Sequence, residues 1–326
     1  MTRSFKTYGR EDLLAYVNLR EGETKLGQQV AILEPEQELS ASSAGFVLIG
    51  IPEDTGIAAN YGIRGAATTW EIVLKAFLNT QSNSFLPGAE LLVLGHFEFD
   101  LPHNGSREDL IAQVSMIDQH VYPVIQRIVA AGKTPIIIGG GHNNAYPIIK
   151  GCSAALGKKI NVVNIDAHAD LRSIDGRHSG NGFSYALREG YLENYGIFGL
   201  QQNYVNTFML DSVAKNSKIK LEYFEDILLA DNIPATFKAF IAELPAPLGM
   251  EIDLDIITGV LSSAATPSGI SLNDLRKILL STSAKLSYLH ICEGAYLMED
   301  GRTNPLIGKT ISFLITDFIK TQRVKV

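Results

Sequence analysis

Eight short apolar runs recur along the chain, and the segments between them have helical periodicity. Each run is nearly continuous in aliphatic or β-branched residues and is bounded by Gly, Pro, Asp or Asn, which is typical of strands buried on both faces. The runs cover residues 46–51, 91–94, 135–138, 160–165, 196–200, 219–223, 248–254 and 286–291. Alternation of such strands with helices predicts an α/β fold in which helices cover both faces of a parallel sheet.

The number of runs also bears on domain organisation. Because the eight strands form one series, they predict a single large domain over residues 45–326, although 326 residues could also hold two domains. Helices are predicted over residues 64–79, 108–131, 272–283 and 308–321, where apolar residues follow a helical spacing. Residues 1–44 are polar and mixed, and we expect them to form an N-terminal extension that contains helix.

Charge and cysteine content narrow the class of protein. A net charge of -7 argues against nucleic acid or an anionic membrane as a partner. Two distant cysteines, Cys152 and Cys292, are too few for a disulfide framework and match no zinc-binding pattern. No run approaches the roughly 20 apolar residues that span a bilayer, and the N-terminus lacks the apolar segment of a signal peptide. We therefore expect a cytoplasmic protein.

Metal-binding side chains follow the predicted strand at 160–165. Asp166, His168 and Asp170 stand at i, i+2 and i+4, so in extended backbone they project from one face. Two buried carboxylates side by side are unfavourable unless they are protonated or bind a cation. Asp and His are common ligands of divalent transition metals, so this element predicts a metal site.

Two further elements carry the same chemistry. Asp253 and Asp255 come at the end of the run at 248–254, and His142 follows a glycine turn at 139–141 just past another run. In parallel sheets, ligands collect at the carboxyl ends of the strands, where all three elements lie. Four carboxylates and two imidazoles, without a thiolate, suit a pair of manganese-like ions that activates water, although other divalent ions stay open.

Each element alone has an ordinary structural explanation. An Asp-x-His-x-Asp run can cap a helix or end a strand, and exposed acidic pairs are common. The glycine turn is no phosphate-binding P-loop because no Lys-Ser/Thr follows it, and its spacing is not that of a dinucleotide fold. The coincidence of three elements at three strand ends favours the metal site.

These elements also resemble a known family. Residues 139–142, 166–170 and 253–255 resemble the three signature motifs of the ureohydrolases, which include arginase, agmatinase and formimidoylglutamase. The resemblance extends to residues 50–54, 62–66 and 265–270 and covers residues 45–322, nearly the whole chain. It implies an arginase-like, three-layer α/β/α metallohydrolase domain with an eight-stranded parallel sheet. It also implies two Mn²⁺ per subunit and a trimeric or hexameric homo-oligomer.

The resemblance assigns roles to individual residues. One ion would be held by His142, Asp166, Asp170 and Asp253, and the other by His168, Asp166, Asp253 and Asp255. Asp170 would relay a proton to the leaving amine. Glu293, at the end of the last predicted strand, would pair with the positive charge of the amidine substrate.

The loop after the Asp-x-His-x-Asp element points to one branch of the family. Ser179 stands where agmatinases place a shuttle histidine, as in formimidoylglutamases, and the neighbouring His178 leaves a shuttle role open. Arg172 is predicted to bind a substrate carboxylate, because guanidinium matches carboxylate as a planar fork. Ser179 and Asn181 are also expected to contact substrate.

The predicted reaction is hydrolysis of N-formimidoyl-L-glutamate to L-glutamate and formamide, a step of histidine degradation. Guanidino hydrolysis of the arginase or agmatinase type, releasing urea, is the nearest alternative. A zinc deacetylase is disfavoured because the chain lacks a His-His pair. A non-catalytic metal-binding scaffold or regulatory protein is the alternative of another class, and the loss of a ligand would have favoured it.

Overall fold

The computed structural model describes residues 5–323, which contain one sheet of nine strands. The strands are β1 (Phe5–Thr7), β2 (Phe46–Gly50), β3 (Leu91–Phe97), β4 (Thr134–Ile138), β5 (Ile160–Ile165), β6 (Leu192–Leu200), β7 (Ile219–Tyr223), β8 (Leu248–Asp253) and β9 (Leu286–Cys292). Their order is β1-β3-β2-β4-β9-β8-β5-β6-β7. Only β1 is antiparallel to its neighbour among these strands, so all eight predicted runs are confirmed as parallel strands.

The prediction of eight strands was one strand short. β1 has three residues and forms the edge of the sheet beside β3, where the Phe5 ring lies 4.9 Å from that of Phe97. Such a short strand shows no periodicity that a sequence pattern can detect. Leu13 and Leu26, also within residues 5–44, are buried in the main core. The extension therefore packs against the sheet, and the boundary at residue 44 stays a prediction.

Helices occupy most of the segments between strands. Within residues 5–323 they are α1 (Arg10–Leu14), α2 (Leu26–Gln29), α3 (Thr55–Ala59), α4 (Thr69–Leu78), α5 (Arg107–Ala130), α6 (Ala145–Leu156), α7 (Gly182–Arg188), α8 (Thr207–Ala214), α9 (Phe224–Leu229), α10 (Ile233–Ile241), α11 (Leu272–Ser281) and α12 (Ile307–Gln322). α5, α11 and α12 agree with prediction to within two residues, whereas α4 begins later because a 3₁₀ turn precedes it. In this part of the chain, no helix has the length and apolar character needed to cross a membrane.

Alternate strand residues pack into two hydrophobic clusters, one on each face of the sheet. Leu48 and Ile136 belong to the cluster that α4, α10, α11 and α12 cover, whereas Ile49 and Ile137 belong to the one beneath α5, α6 and α7. This arrangement confirms the three-layer α/β/α fold as a single domain. Because each fully buried Leu or Ile contributes roughly 1.5–3 kcal/mol, these two clusters stabilise the sheet whose edge carries the loops.

The order of the central strands determines where the candidate site lies. β4, β9, β8 and β5 are consecutive neighbours in the sheet, although they are far apart in sequence. The predicted metal-binding elements follow β4 and β5 and end β8, and Glu293 follows β9. Parallel pairing brings the carboxyl ends of all four strands to the same edge, so these side chains converge.

Candidate active site

Local backbone conformation sets the direction of the site residues. Gly139 and Gly140, with φ of 88° and 79°, make the left-handed turn that brings His142 over the sheet edge. Asp170 and Glu293 adopt φ of 49° and 64°, a conformation that costs a non-glycine residue free energy. Strain of this kind collects at functional sites, where the surrounding structure holds it in place.

The six predicted ligands lie together in two groups that share Asp166. In the first group His142 Nδ1 lies 2.9 Å from Asp170 Oδ2 and 3.2 Å from Asp253 Oδ2. The same nitrogen lies 3.4 Å from Asp166 Oδ2. These four side chains offer one imidazole nitrogen and three carboxylate oxygens to a single point.

The second group forms on the other oxygen of the shared carboxylate. His168 Nδ1 lies 2.8 Å from Asp255 Oδ2 and 3.6 Å from Asp166 Oδ1. Asp166 thus faces both groups, one oxygen to each, as a bridging ligand would. Asp253 belongs to the first group only, so a bridging role for Asp253 stays a prediction.

Unpaired buried atoms show that the site fits cations. His142 Nδ1 is buried and makes no hydrogen bond of good geometry in spite of the carboxylates around it, and the buried Asp255 Oδ1 has no hydrogen-bond partner among the described residues. Leaving a buried polar atom unpaired costs about 1–3 kcal/mol, and a metal ion would remove that cost. Imidazole nitrogens and carboxylate oxygens suit manganese or a similar divalent ion.

The acidic groups also repel one another. Burial and the charge of Asp166 raise the pKa of Asp255 to about 7, although His168 opposes the shift. Burial and the charges of Asp255 and Asp166 raise the pKa of Asp253 well above its usual range. The site therefore has a deficit of positive charge that bound cations would supply.

The protonated histidines supply part of the missing positive charge. Burial lowers the pKa of His168, but its contacts with Asp166 and Asp255 more than offset this and raise it to about 12. Burial alone would raise the pKa of Asp166, yet His142 and His168 bring it below its usual range. Without cations these rings hold protons that metal binding must displace, so metal affinity depends on pH.

A pocket of about 330 Å³ opens onto four of the six candidate ligands, and His142 and Asp166 lie outside its lining. Its lining includes Asp170, Asp253, Asp255 and Glu293. Glu293 accepts a 2.7 Å hydrogen bond from the His142 backbone N–H, which ties β9 to the glycine turn. Burial and the charge of Asp253 raise the pKa of Glu293 well above its usual range, so a cationic group here would be stabilised.

The structure brings two of the predicted substrate residues to this pocket. Arg172 is exposed and lines both this pocket and an adjoining one, so it lies at their junction. Ser179 lines the first pocket, and its Oγ accepts a 3.2 Å hydrogen bond from Asn60 Nδ2. His178 lines the adjoining pocket instead, and burial lowers its pKa to about 4, so its ring is neutral at neutral pH.

Asn181 has a different position from the one predicted. Its side chain is fully buried and is absent from the lining of both pockets. The Oδ1 atom accepts from Arg177 Nη1 at 2.9 Å and from the His178 backbone at 3.1 Å. The Nδ2 atom donates to the carbonyls of Ser173 and Gly176. Asn181 therefore holds the loop that carries Ser179, and it has no free group for substrate.

Sequence reasoning missed Glu251, a fully buried carboxylate on β8. Its Oε1 accepts from the Tyr288 hydroxyl at 2.6 Å, and its Oε2 lies 2.5 Å from His290 Nδ1 and 3.6 Å from His142 Nε2. Glu251 therefore places a buried carboxylate near the Nε2 atom of a candidate ligand, although that nitrogen makes no hydrogen bond among the described residues. The signal was present, since Glu251 stands two residues before Asp253 in the strand alternation.

Tyr204 was also missed. Its ring stacks on His168 with centroids 4.7 Å apart and planes at 14°, and it lines the pocket. Tyr204 lies in the segment after β6, which has no pattern linking it to the metal-binding elements. Only the folded chain brings the two rings together.

The comparisons with known proteins agree with this geometry. The model of the arginase family matches residues 44–303, which include all six candidate ligands. A formimidoylglutamase of Geobacillus thermodenitrificans is 27% identical over 305 residues, covering 88% of this chain and 87% of the relative.

Solved structures show the same fold. The formimidoylglutamase of Bacillus subtilis superimposes with a TM-score of 0.75 at 16% identity and covers 93% of both chains. The Trypanosoma cruzi formiminoglutamase solved with Mn²⁺ gives a TM-score of 0.73 at 19% identity, covering 92% of this chain and 98% of the other. At these identities the structural likeness establishes the fold alone.

Proposed function

The chain belongs to the arginase family and is a metal-dependent hydrolase of amidines, and on this premise we propose that it hydrolyses N-formimidoyl-L-glutamate. In this reaction the oxygen of water bonds to the formimidoyl carbon, and the bond from that carbon to the glutamate nitrogen breaks. The leaving nitrogen takes up a proton, and formamide and L-glutamate are released. The formimidoylglutamase relative supports this substrate.

The six clustered residues are proposed to hold two Mn²⁺ ions. His142, Asp170 and Asp253 would bind one ion, His168 and Asp255 the other, and Asp166 both. When bound, such a pair supplies Lewis acidity and activates water for attack on an amidine carbon. The unpaired atoms of His142 and Asp255 are the observation that supports this assignment.

The observation that carries the proposed substrate is the uneven charge of the pocket. The two clusters of candidate ligands are called the metal groups. Carboxylates of Asp253, Asp255 and Glu293 line the pocket at these groups, and the guanidinium of Arg172 lies at its junction with the adjoining pocket. N-formimidoyl-L-glutamate has the matching polarity, with a cationic amidine at one end and carboxylates at the other. Agmatine has no carboxylate for Arg172 to bind.

Two residues are assigned to the reacting group. Glu293 would bind the amidinium, because its buried carboxyl lines the pocket and a cation there would offset the burial that raises its pKa. Asp170 lines the pocket beside the metal groups and would pass a proton to the leaving nitrogen. Its left-handed backbone is held by the surrounding structure, as is common at functional positions.

The test is to supply the manganese-loaded protein with N-formimidoyl-L-glutamate, arginine, agmatine and 4-guanidinobutyrate in parallel. We expect formamide and L-glutamate from the first substrate and little urea from the other three. Urea from arginine or agmatine, without formamide, would overturn the substrate and keep the metal site. No product from any of them would favour the non-catalytic scaffold.

A further inference from the structure

A second pocket, of about 630 Å³, adjoins the one over the metal groups. The two share Asn60, Tyr61 and Arg172 in their linings, so they are continuous. None of the six candidate ligands lines the second pocket. Its charged lining residues are instead Arg107, Arg172 and Asp175, and nothing in the proposed reaction yet uses Arg107.

Contacts on several sides hold Arg107 in the wall of this pocket. It is the first residue of α5, and its Nε donates to the Ala59 carbonyl at 3.3 Å. Its guanidinium lies 5.6 Å from the centre of the Tyr61 ring. The side chain is 26% exposed, so the guanidinium is anchored but still reachable.

The acidic partner of Arg107 is weakly held. Arg107 Nη2 lies 3.5 Å from Asp175 Oδ2, at the long limit of a hydrogen bond, and the Asp175 side chain is 55% exposed. Exposed ion pairs of this kind contribute little, so a ligand carboxylate can replace Asp175. Arg107 thus keeps the capacity to bind a second anion.

The lowered pKa of the neighbouring His178 is consistent with positive charge in the wall of the second pocket. After burial and the opposing effect of Asp175, the charges of Arg107, Arg172 and Arg177 lower its pKa. Arg177 is neutralised by Asp118 at 2.8 Å. Two arginines from different parts of the chain therefore give the second pocket its cationic character.

We propose that Arg107 and Arg172 form a dicarboxylate subsite in which each guanidinium binds one carboxylate of the substrate. This inference rests on the proposed function for the direction in which substrate lies. The formimidoyl group is attached to the α-nitrogen, so the α-carboxylate is nearer the metal groups and meets Arg172 at the junction. The side-chain carboxylate extends into the second pocket and meets Arg107, which makes Arg107 the residue that selects a dicarboxylate.

The experiment compares binding of L-glutamate and L-norvaline to the manganese-loaded protein by calorimetry. L-norvaline keeps the α-carboxylate and replaces the side-chain carboxylate by a methyl group. Arg107→Gln is expected to weaken L-glutamate binding about tenfold and to leave L-norvaline unchanged, since one charge-assisted contact is lost. Arg172→Gln is expected to weaken both ligands.

A second variant is expected to change the affinity for L-glutamate in the opposite direction. Asp175→Asn removes the competing carboxylate and is expected to strengthen L-glutamate binding, which a purely structural role of the pair would not do. Arg302 and Asp300 form a matched exposed pair outside both pockets, with a 2.8 Å contact. Arg302→Gln and Asp300→Asn should change neither ligand.

The outcomes separate this inference from the proposed function. The subsite would be overturned if Arg107→Gln weakened the binding of L-glutamate and L-norvaline equally, or changed the binding of neither. It would also be overturned if the unmodified protein showed no measurable binding of L-glutamate. Normal turnover of N-formimidoyl-L-glutamate by Arg107→Gln would overturn it while leaving the proposed function intact. The predicted binding pattern without turnover would retain the subsite and remove the proposed reaction.

Discussion

The acidic groups at the strand ends and the arginine-lined loops beyond them are built in different ways. His142, Asp166 and Asp253 are almost completely buried at the carboxyl ends of three strands, β4, β5 and β8, and His142 and Asp255 keep atoms without hydrogen-bond partners. Arg172, in contrast, is exposed on a loop. The difference indicates that the chemistry is fixed by the sheet, whereas substrate choice depends on side chains that loops can vary.

The largest effect is expected when one of the candidate ligands is replaced. Asp253→Asn should lower kcat by more than about a hundredfold, because even residues that only support a metal ligand cost 10–100-fold when replaced. The metal-free variant should be no less stable, since Asp253 is repelled by Asp255 and Asp166. Manganese content, kcat and thermal unfolding would be measured together.

Asp317→Asn is the matched control for this change. Asp317 is equally buried but pairs with Arg276 at 2.7 Å, away from the metal groups. It should lose stability and keep manganese. Full activity and full manganese in Asp253→Asn would contradict the assignment of Asp253 as a ligand.

The next largest effect is expected on manganese affinity when the buried carboxylate Glu251 is replaced. Glu251→Gln should weaken manganese binding by about tenfold with an unchanged KM, because the Glu251 carboxylate lies 3.6 Å from His142 Nε2 and does not line the pocket. Tyr288→Phe, which removes only one hydrogen bond to Glu251, should shift affinity in the same direction by less. Lower stability with unchanged manganese affinity would reduce Glu251 to a purely structural role.

At the arginine end the effect should fall on substrate. Arg172→Gln should raise KM for N-formimidoyl-L-glutamate by about tenfold and leave kcat and manganese content near normal, since one charged contact is lost. Arg188→Gln, an exposed arginine outside both pockets, is the control. Loss of manganese in Arg172→Gln would show that the two ends are not independent.

The smallest expected effect is on thermal stability. The pKa of Asp255 is raised from 3.8 to about 7, so the folded metal-free protein binds a proton between these values that the unfolded chain does not. The contribution of Asp255 to stability therefore falls as pH rises through that window, and manganese relieves the repulsion. The rise in Tm on adding manganese should be a few degrees at pH 7.5 and smaller at pH 5.5. A larger rise at pH 5.5 would contradict this sign.

The same contrast explains what the sequence could predict. Buried strands give continuous apolar runs, so all eight parallel strands were predicted, and their ends located the metal groups. β1 was missed because three residues at the sheet edge carry no periodicity. Glu251 stands two residues before Asp253 in the alternation of β8, but it belongs to no motif that would mark it as part of the site.

The roles of loop residues were harder to predict, because a loop side chain can face either the pocket or the interior of the loop. Asn181 was expected to face substrate, yet its amide is used within the loop, and no local pattern distinguishes these outcomes. Tyr204 and Arg107 reach the pockets from segments far from the motifs. Their roles depend on tertiary contacts that composition and spacing do not encode.

The most direct test of the account is the number of manganese ions bound to each folded chain. The protein would be stripped with chelator, reloaded with Mn²⁺ at neutral pH, dialysed and analysed by elemental mass spectrometry against protein concentration. The shared position of Asp166 between two groups predicts about two ions for each chain. A value of one or none, with the fold intact by circular dichroism, would contradict the claim that these six residues form a two-metal centre.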